Sequence, residues 1–585
     1  MPGRTTEPLL YQEPAAGPRG HRKTSQRSGG RARSRFDSDY NDGVLDNVWA
    51  GGNRRLLKLT LMAMCLGITL YVGINFSYVA KSGRAPATSC DTIDHGYQCY
   101  PKIAQSWGQY SPFYSVPSEL SSADTTPATP LSPLALPPTC KYTFAQVLSR
   151  HGGRDPTASK SAAYAALMDR ILDTSEHFSD GPDGRFGFLN EYSYRMGADE
   201  LTRFGELQMV HSGAHFYRRY RSLLNSLATP TTHADPFVRS ADQHRVLLSA
   251  INWVQGFQGA RHTEQQRQQD SQEKSRKGKK PLPPSEHKDG ESGQQHIILL
   301  PEESGFNNTL SYNGLCKKFT SRRGSAAQRT FAETFVPAIT ARLNRGLQGA
   351  NLTDTDTINL MDMCPYETIA DEHDRSDSNP SSSAVSGGRR LSPFCHLFSE
   401  AEWHGYDYYQ TLGKWYGFGD GSTLGATQGV GFVNELIARL TQSPVDDHTS
   451  TNRTMDADPV TFPLNATVYA DFSHDNDMSN IFAALGLYAG ATGEAPLDPS
   501  NTTRVEPGDM RGFAAGWTVP FAARMYVEKM VCGGDEEELV RVLVNDRVIP
   551  LQNCGADVLG RCRLSKFIDS LAFARKGGNW EDCFA

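Results

Sequence analysis

The chain has 585 residues, 38% of them apolar and 21% charged, with Gly and Pro together making up 86, a composition that excludes a collagen-like or a wholly disordered chain. The formal net charge is −6, but residues 1–58 hold 11 Lys/Arg against 6 Asp/Glu, leaving 48 against 59 and a net of −11 on the rest. That body excludes a nucleic-acid-binding surface, which needs clustered positive charge against phosphates, and favours small-molecule partners.

Residues 1–58 are Arg, Gly and Ser rich and read as a disordered basic tail. Leu59 to Val79 is a 21-residue stretch without a formal charge, long enough at 1.5 Å per residue to cross a hydrocarbon core once. Arg54, Arg55 and Lys58 precede it, so the positive-inside rule predicts a cytoplasmic N-terminus and a single transmembrane signal anchor. The remainder then faces the lumen or exterior, either tethered or released by cleavage near Ala85-Pro86-Ala87.

Ten cysteines lie beyond the span, Cys90, Cys99, Cys140, Cys316, Cys364, Cys395, Cys532, Cys554, Cys562 and Cys583. An even set on the exported side predicts five disulfides, and no CxxC or His-spaced cluster suggests a metal site. Asn307, Asn351, Asn452, Asn465 and Asn501 begin Asn-X-Ser/Thr sequons, as in a glycoprotein.

Residues 80–139 read as a stalk and loop segment, and the folded body as 140–585. Tyr142–Ser149 predicts a strand, followed by a Gly-containing loop and a helix in SKSAAYAALMDRIL. Residues 261–292 and 371–390 are too polar to be buried and read as exposed insertions. Val433, Leu436, Ile437 and Leu440 recur at helical spacing and predict an amphipathic helix that packs on the core. Ala466–Ser473 repeats the strand signal and Ser479–Leu487 the helix after it. Two strand-loop-helix units predict an α/β sheet, and no fixed-period repeat suggests a solenoid.

Chemistry concentrates at two of these hand-overs. Arg150-His151-Gly152-Gly153-Arg154-Asp155-Pro156 places two guanidinium forks about a histidine where a strand gives way to a helix, a position that suits a phosphate. Gly152 and Gly153 let backbone approach closely, and His151 is the predicted nucleophile. His474-Asp475 follows the second strand and offers a phosphate donor and a proton source. By itself a His-Asp pair carries little, and Arg239 in PFVRSADQHRV is by itself an ordinary surface cation.

Taken together, RHGxRxP at Arg150–Pro156, the downstream His474-Asp475, WGQYSPF at Trp107–Phe113, LTRFGE at Leu201–Glu206, MDMC at Met361–Cys364, ATQGVGFVNELIARL from Ala426 and LVRVLVNDRV from Leu539 resemble the histidine acid phosphatases, and among them the fungal phytases. The resemblance runs from about Cys90 to Ala585. It implies a phosphoglycerate-mutase-like α/β sheet flanked by helices, with a smaller, mainly α domain and the site between them. It implies the disulfides Cys90–Cys99, Cys140–Cys532, Cys316–Cys583, Cys364–Cys395 and Cys554–Cys562, a pairing that spacing alone does not choose. It also implies phosphate release from phytate, the 3-phosphate first, with no cofactor or metal. His151 becomes the phosphohistidine, Arg150, Arg154, Arg239 and His474 the phosphate cage, Asp475 the proton donor, and Lys160 and Lys414 substrate contacts at the rim.

The mechanism so implied demands a neutral His151 and a protonated Asp475, hence an acidic optimum. Gly153 and Asp155 stand where the common signature has Ala and Tyr, and a carboxylate beside a phosphate pocket is unfavourable. Ala163 and Gly413 thin the lysine-rich rim. A broad acid phosphatase and a non-catalytic surface glycoprotein are the rival readings, and oligomeric state is not determined.

Overall fold

The computed structural model describes residues 10–11, 100–118, 135–175, 177–179, 185–227, 235–276, 296–312, 314–370, 391–489, 497–500 and 512–585. The tail apart from Leu10 and Tyr11, which form a short strand where a disordered tail was expected, the apolar stretch at 59–79, Cys90, Cys99, Asn501 and the insertion at 371–390 lie outside them. No helix among the described residues is long and apolar enough to cross a membrane.

A mixed sheet organises the chain. Its strands are β1 (Leu10–Tyr11), β2 (Cys140–Arg150), β3 (Phe237–Ala241), β4 (Ile297–Leu300), β5 (Val468–Ser473), β6 (Arg524–Cys532), β7 (Leu539–Val544), β8 (Arg547–Ile549) and β9 (Arg561–Arg563). They run in the order β1-β4-β3-β5-β2-β6-β7-β8, with β9 on β7. β4, β3, β5 and β2 are mutually parallel, and β6 turns antiparallel against β2. Every residue of β5 is buried, as a central parallel strand covered on both faces requires.

The helices that matter for the site are α1 (Ala158–Leu172), α2 (Arg203–Leu227), α3 (His244–Arg276), α4 (Arg322–Gly346), α5 (Asp354–Ala370), α6 (Glu400–Gly417), α7 (Val430–Thr441) and α8 (Asp475–Ala484). Phe472 of β5 meets Trp253 of α3 on one face of the sheet. On the other, Arg439 of α7 lies over Tyr469 and reaches Asp471. Helices therefore cover both faces, as expected. A second buried cluster gathers Tyr164, Leu343, Met361, Trp403 and Tyr406 from α1, α4, α5 and α6.

The expected strand at Tyr142–Ser149 extends to Cys140–Arg150, and the helix after β5 begins at Asp475, four residues before the predicted start. Acidic side chains in a first turn favour the helix dipole, which accounts for the earlier start. The polar run from 261 is not a separate insertion at first: residues up to Arg276 continue α3, exposed or half-buried over 261–271. Four disulfides match the implied pairing, Cys140–Cys532, Cys316–Cys583, Cys364–Cys395 and Cys554–Cys562.

Candidate active site

In parallel sheets the loops beyond the carboxyl ends of the strands form the natural crevice. β2 and β5 are in register with Arg150 opposite Ser473, so the residues that follow each strand emerge side by side. The His151 and His474 rings accordingly lie 5.7 Å apart, centroid to centroid, although 323 positions separate them in sequence. The His151 N–H also donates to the Ser473 carbonyl across this edge.

The RHGG turn is pressed against the start of α2. A β-carbon on Gly152 would stand 2.4 Å from the Gly205 carbonyl oxygen, and one on Gly205 would stand 2.0 Å from that of Gly153, so both positions exclude side chains. Gly153 is looser, with Ile369 and Phe204 atoms at 3.1 and 3.2 Å from an added β-carbon. His151 Nδ1 lies 2.8 Å from the Gly152 carbonyl oxygen. A carbonyl only accepts, so Nδ1 carries the proton and Nε2 keeps its lone pair. Burial first, and then Arg150, Arg245 and Arg154, hold this imidazole well below its ordinary pKa.

Arg150 is fully buried; its Nη1 donates to the carbonyls of Gln109 and Val519 at 2.5 and 2.8 Å, and its plane packs 4.5 Å from the Phe521 ring. Its Nη2 lies 3.3 Å from Asp475 Oδ2. Arg154 is anchored through its own neighbour's carbonyl, Nη1 to Asp155 O at 2.6 Å. Asp155 directs its carboxylate against Gly197, where an added β-carbon would be 2.5 Å from Oδ2.

Asp475 opens α8 and is held from two sides. Besides Arg150, Lys414 Nζ approaches its Oδ2 at 2.6 Å. Burial alone would raise the carboxyl pKa, yet Arg150 and Lys414 outweigh it and hold the group well below the usual carboxylate range. These two cations favour the ionised carboxylate, contrary to the protonated state expected from the reaction alone. Lys414 is equally committed: only 7% exposed, it also donates to Asn476 Oδ1 at 2.7 Å, and burial lowers its pKa more than Asp475 restores it. It is a partner of the acid.

Lys160 lines a cavity of about 210 Å³ together with Gln109, Lys414 and Phe418; His151, His474 and Asp475 are not in its lining, and Lys414 is its link to Asp475. Lys160 Nζ is bound to Asp362 Oδ2 at 2.5 Å, and Asp362 accepts from Tyr164 and Tyr406 as well. Gly413 makes room for the Gln328 amide, which would be 2.6 Å from a β-carbon there.

Arg239 is the expectation the structure overturns. It lies within β3, opposite Asp471 of β5, and its side chain points to the sheet face that α7 covers. There Nε bonds Asp471 Oδ1 at 2.8 Å and Nη2 bonds Glu435 Oε2 at 2.6 Å, in a network completed by Arg439. Strand alternation fixes that direction before the crevice is reached. The cation beside His151 is Arg245, in the first turn of α3, which follows the same sheet edge. Burial, then Arg154, lowers its pKa to about 10, and its nearest carboxylate is Asp199 at 3.6 Å. The signal was present: like His151 and His474, Arg245 follows a strand into a helix, whereas Arg239 sits inside one.

This separates two expected results. Arg239→Met leaves Asp471 and Glu435 under-compensated and should destabilise the fold by about 3–5 kcal/mol, seen in chemical unfolding. Arg245→Met should leave unfolding nearly unchanged and lower kcat/KM by about 10². The reverse pattern would return Arg239 to the site.

Residues 141–545 match the Histidine phosphatase superfamily (branch 2). The chain is 45% identical over 541 residues to Phytase A of Neurospora crassa, covering 87% of this chain and 98% of that one. It is 44% identical over 508 residues to Phytase A of Aspergillus fumigatus, covering 86% and 96%. Among solved structures, the phytase from D. castellii shares the fold, with a TM-score of 0.59 at 21% identity, covering 82% of this chain and 87% of that one.

Proposed function

This chain belongs to branch 2 of the histidine phosphatase superfamily, and from that premise we propose that it is a phytase, releasing phosphate from myo-inositol hexakisphosphate through a phosphohistidine at acidic pH. The observation that carries the mechanism is the bond from His151 Nδ1–H to the Gly152 carbonyl, which leaves a neutral Nε2 among cations. In the first step Nε2 forms a bond to phosphorus while the ester P–O bond breaks, and the Asp475 carboxyl gives its proton to the departing alkoxide. In the second, water attacks the phosphohistidine, Asp475 takes a proton from it, and His151 leaves with its electron pair restored.

Arg150, Arg154, Arg245 and His474 would neutralise the non-bridging oxygens, where a loose phosphoryl transition state carries its charge. Asp475 acquires its proton with substrate in place: phosphate oxygens that occupy Arg150 bring negative charge to the carboxylate and raise its pKa. Lys160 is the proposed contact for another ring phosphate, exchanging Asp362 for it. Fixed cations gathered among largely buried side chains support acid hydrolysis over a binding-only role.

Phosphate release from phytate across the acid range tests the activity, and alkaline quenching during turnover tests the intermediate, since phosphohistidine survives base. Lys414 sets the pH range. Its replacement by Met removes a cation from Asp475, so the carboxyl pKa rises and the proton persists to higher pH. The alkaline limb of the kcat profile should therefore move upward; a downward shift would exclude this role.

The Leu59–Val79 stretch, the disulfides and the exposed sequon residues Asn351 and Asn465 support export of the body, anchored or released. Fractionation with N-terminal sequencing distinguishes the two forms. We also read the helices around Tyr164 and Trp403 as the smaller α domain.

A further inference from the structure

A carboxylate beside a phosphate-binding crevice requires an explanation, and Glu302 provides the case. It stands just beyond the carboxyl end of β4, and its Oε1 lies 2.8 Å from His474 Nε2, with both side chains largely buried. The loop that carries it is tied down on both sides. Ser473 Oγ donates to the Leu310 carbonyl at 2.5 Å, the Tyr312 N–H donates to Asp477 Oδ1 at 2.6 Å, and Asn308 Nδ2 donates to the carbonyls of Leu300 and Pro301. Ser311 bonds Glu302 itself. The carboxylate is thereby fixed at one ring nitrogen.

Donor counting gives the consequence. An ionised carboxylate only accepts, so Nε2 must carry a proton to bond it. A neutral His474 would then have a lone pair at Nδ1, unable to donate to a phosphate oxygen. Only the imidazolium donates to Glu302 and to phosphate together. Although burial raises the Glu302 pKa, the bond to His474 and the charges of His474 and Arg245 outweigh it and hold the carboxyl low, so the acceptor persists in acid. The groups that bear on this pair are His151 after β2, Arg245 on α3, Asp242 after β3, Glu303 on the same loop, and Asp475 and Asp477 on α8.

We propose that Glu302 is a positioning residue for phosphate: it orients His474 and keeps it doubly protonated, so that His474 acts as a cationic donor to the phosphoryl group of the ester. The inference rests on the phosphatase reading, and its test leaves that reading intact if it fails. The probe is inorganic phosphate as a competitive inhibitor of the full-length wild type and of Glu302→Gln, from strongly to mildly acid pH. The glutamine amide still accepts from Nε2 but carries no charge.

Through-space electrostatics alone predicts that removing a carboxylate from an anion site tightens phosphate. Positioning predicts the opposite: the inhibition constant should rise about tenfold at mildly acid pH, the value of one charge-assisted hydrogen bond, and approach that of wild type in strong acid. In a His474→Gln background the same change should no longer weaken phosphate. Unfolding of each variant is measured alongside, and Glu302→Asp should recover part of the affinity. Tighter or unchanged phosphate binding by a folded Glu302→Gln, or weakening that persists without His474, overturns the proposal, while continued phytate hydrolysis by the wild type leaves the enzyme assignment standing.

Discussion

Replacement of His151 by Ala is expected to lower turnover of phytate by on the order of 10⁴-fold while leaving the fold intact. No other side chain named in the crevice offers an uncharged nitrogen with a free lone pair: His474 is bonded to Glu302 through Nε2, and the remaining side-chain nitrogens belong to guanidinium, ammonium and amide groups, the last with their lone pairs delocalised. Fold retention is expected because the turn is held by backbone, in the close approach of Gly152 to Gly205 and the His151 N–H bond to Ser473. The imidazole adds the bond to Gly152 and ring contacts with His474 and Phe521. Measurement of phosphate release and of base-stable phosphoprotein, beside a thermal unfolding curve, decides the matter. Turnover within tenfold of wild type would assign the nucleophile elsewhere.

The second large effect is expected from Asp475→Asn, and its size should depend on the leaving group. An inositol alkoxide is a poor leaving group and needs a proton as the P–O bond breaks, so kcat on phytate should fall by about 10²–10⁴. An activated aryl phosphate leaves as a weakly basic phenolate, and its phosphorylation step should fall much less. Equal losses on both esters would contradict the role of Asp475 as general acid. The substitution also removes the charge that Arg150 and Lys414 share. Two cations then face the substrate uncompensated, and inorganic phosphate should bind more tightly. Loss of kcat with a lower KM is thus the expected signature.

Much of the fold was legible because its signals are local. The apolar runs in β2 and β5, the helix composition after Pro156 and the amphipathic spacing in α7 are each short-range patterns, and each forms the predicted element. Boundaries were less legible. α8 begins at Asp475 because an acidic first turn favours a helix start, while α3 runs on to Arg276 through a sequence with no apolar face to announce it.

Residue types and their order along the chain determined the chemistry in kind: a histidine between two arginines, a His-Asp pair after a second strand, and cysteines whose partners the resemblance supplied. What the chain order could not decide was direction. Whether a guanidinium points into the crevice or into a sheet face depends on strand register, which sends Arg239 to Asp471 and Glu435 and leaves Arg245 beside His151. Charge state was likewise beyond it, because Asp475 is set by Arg150 and Lys414, 325 and 61 positions away. Electrostatic energies follow distance through a poorly screened interior, and that distance exists only once the sheet has brought the strand ends together.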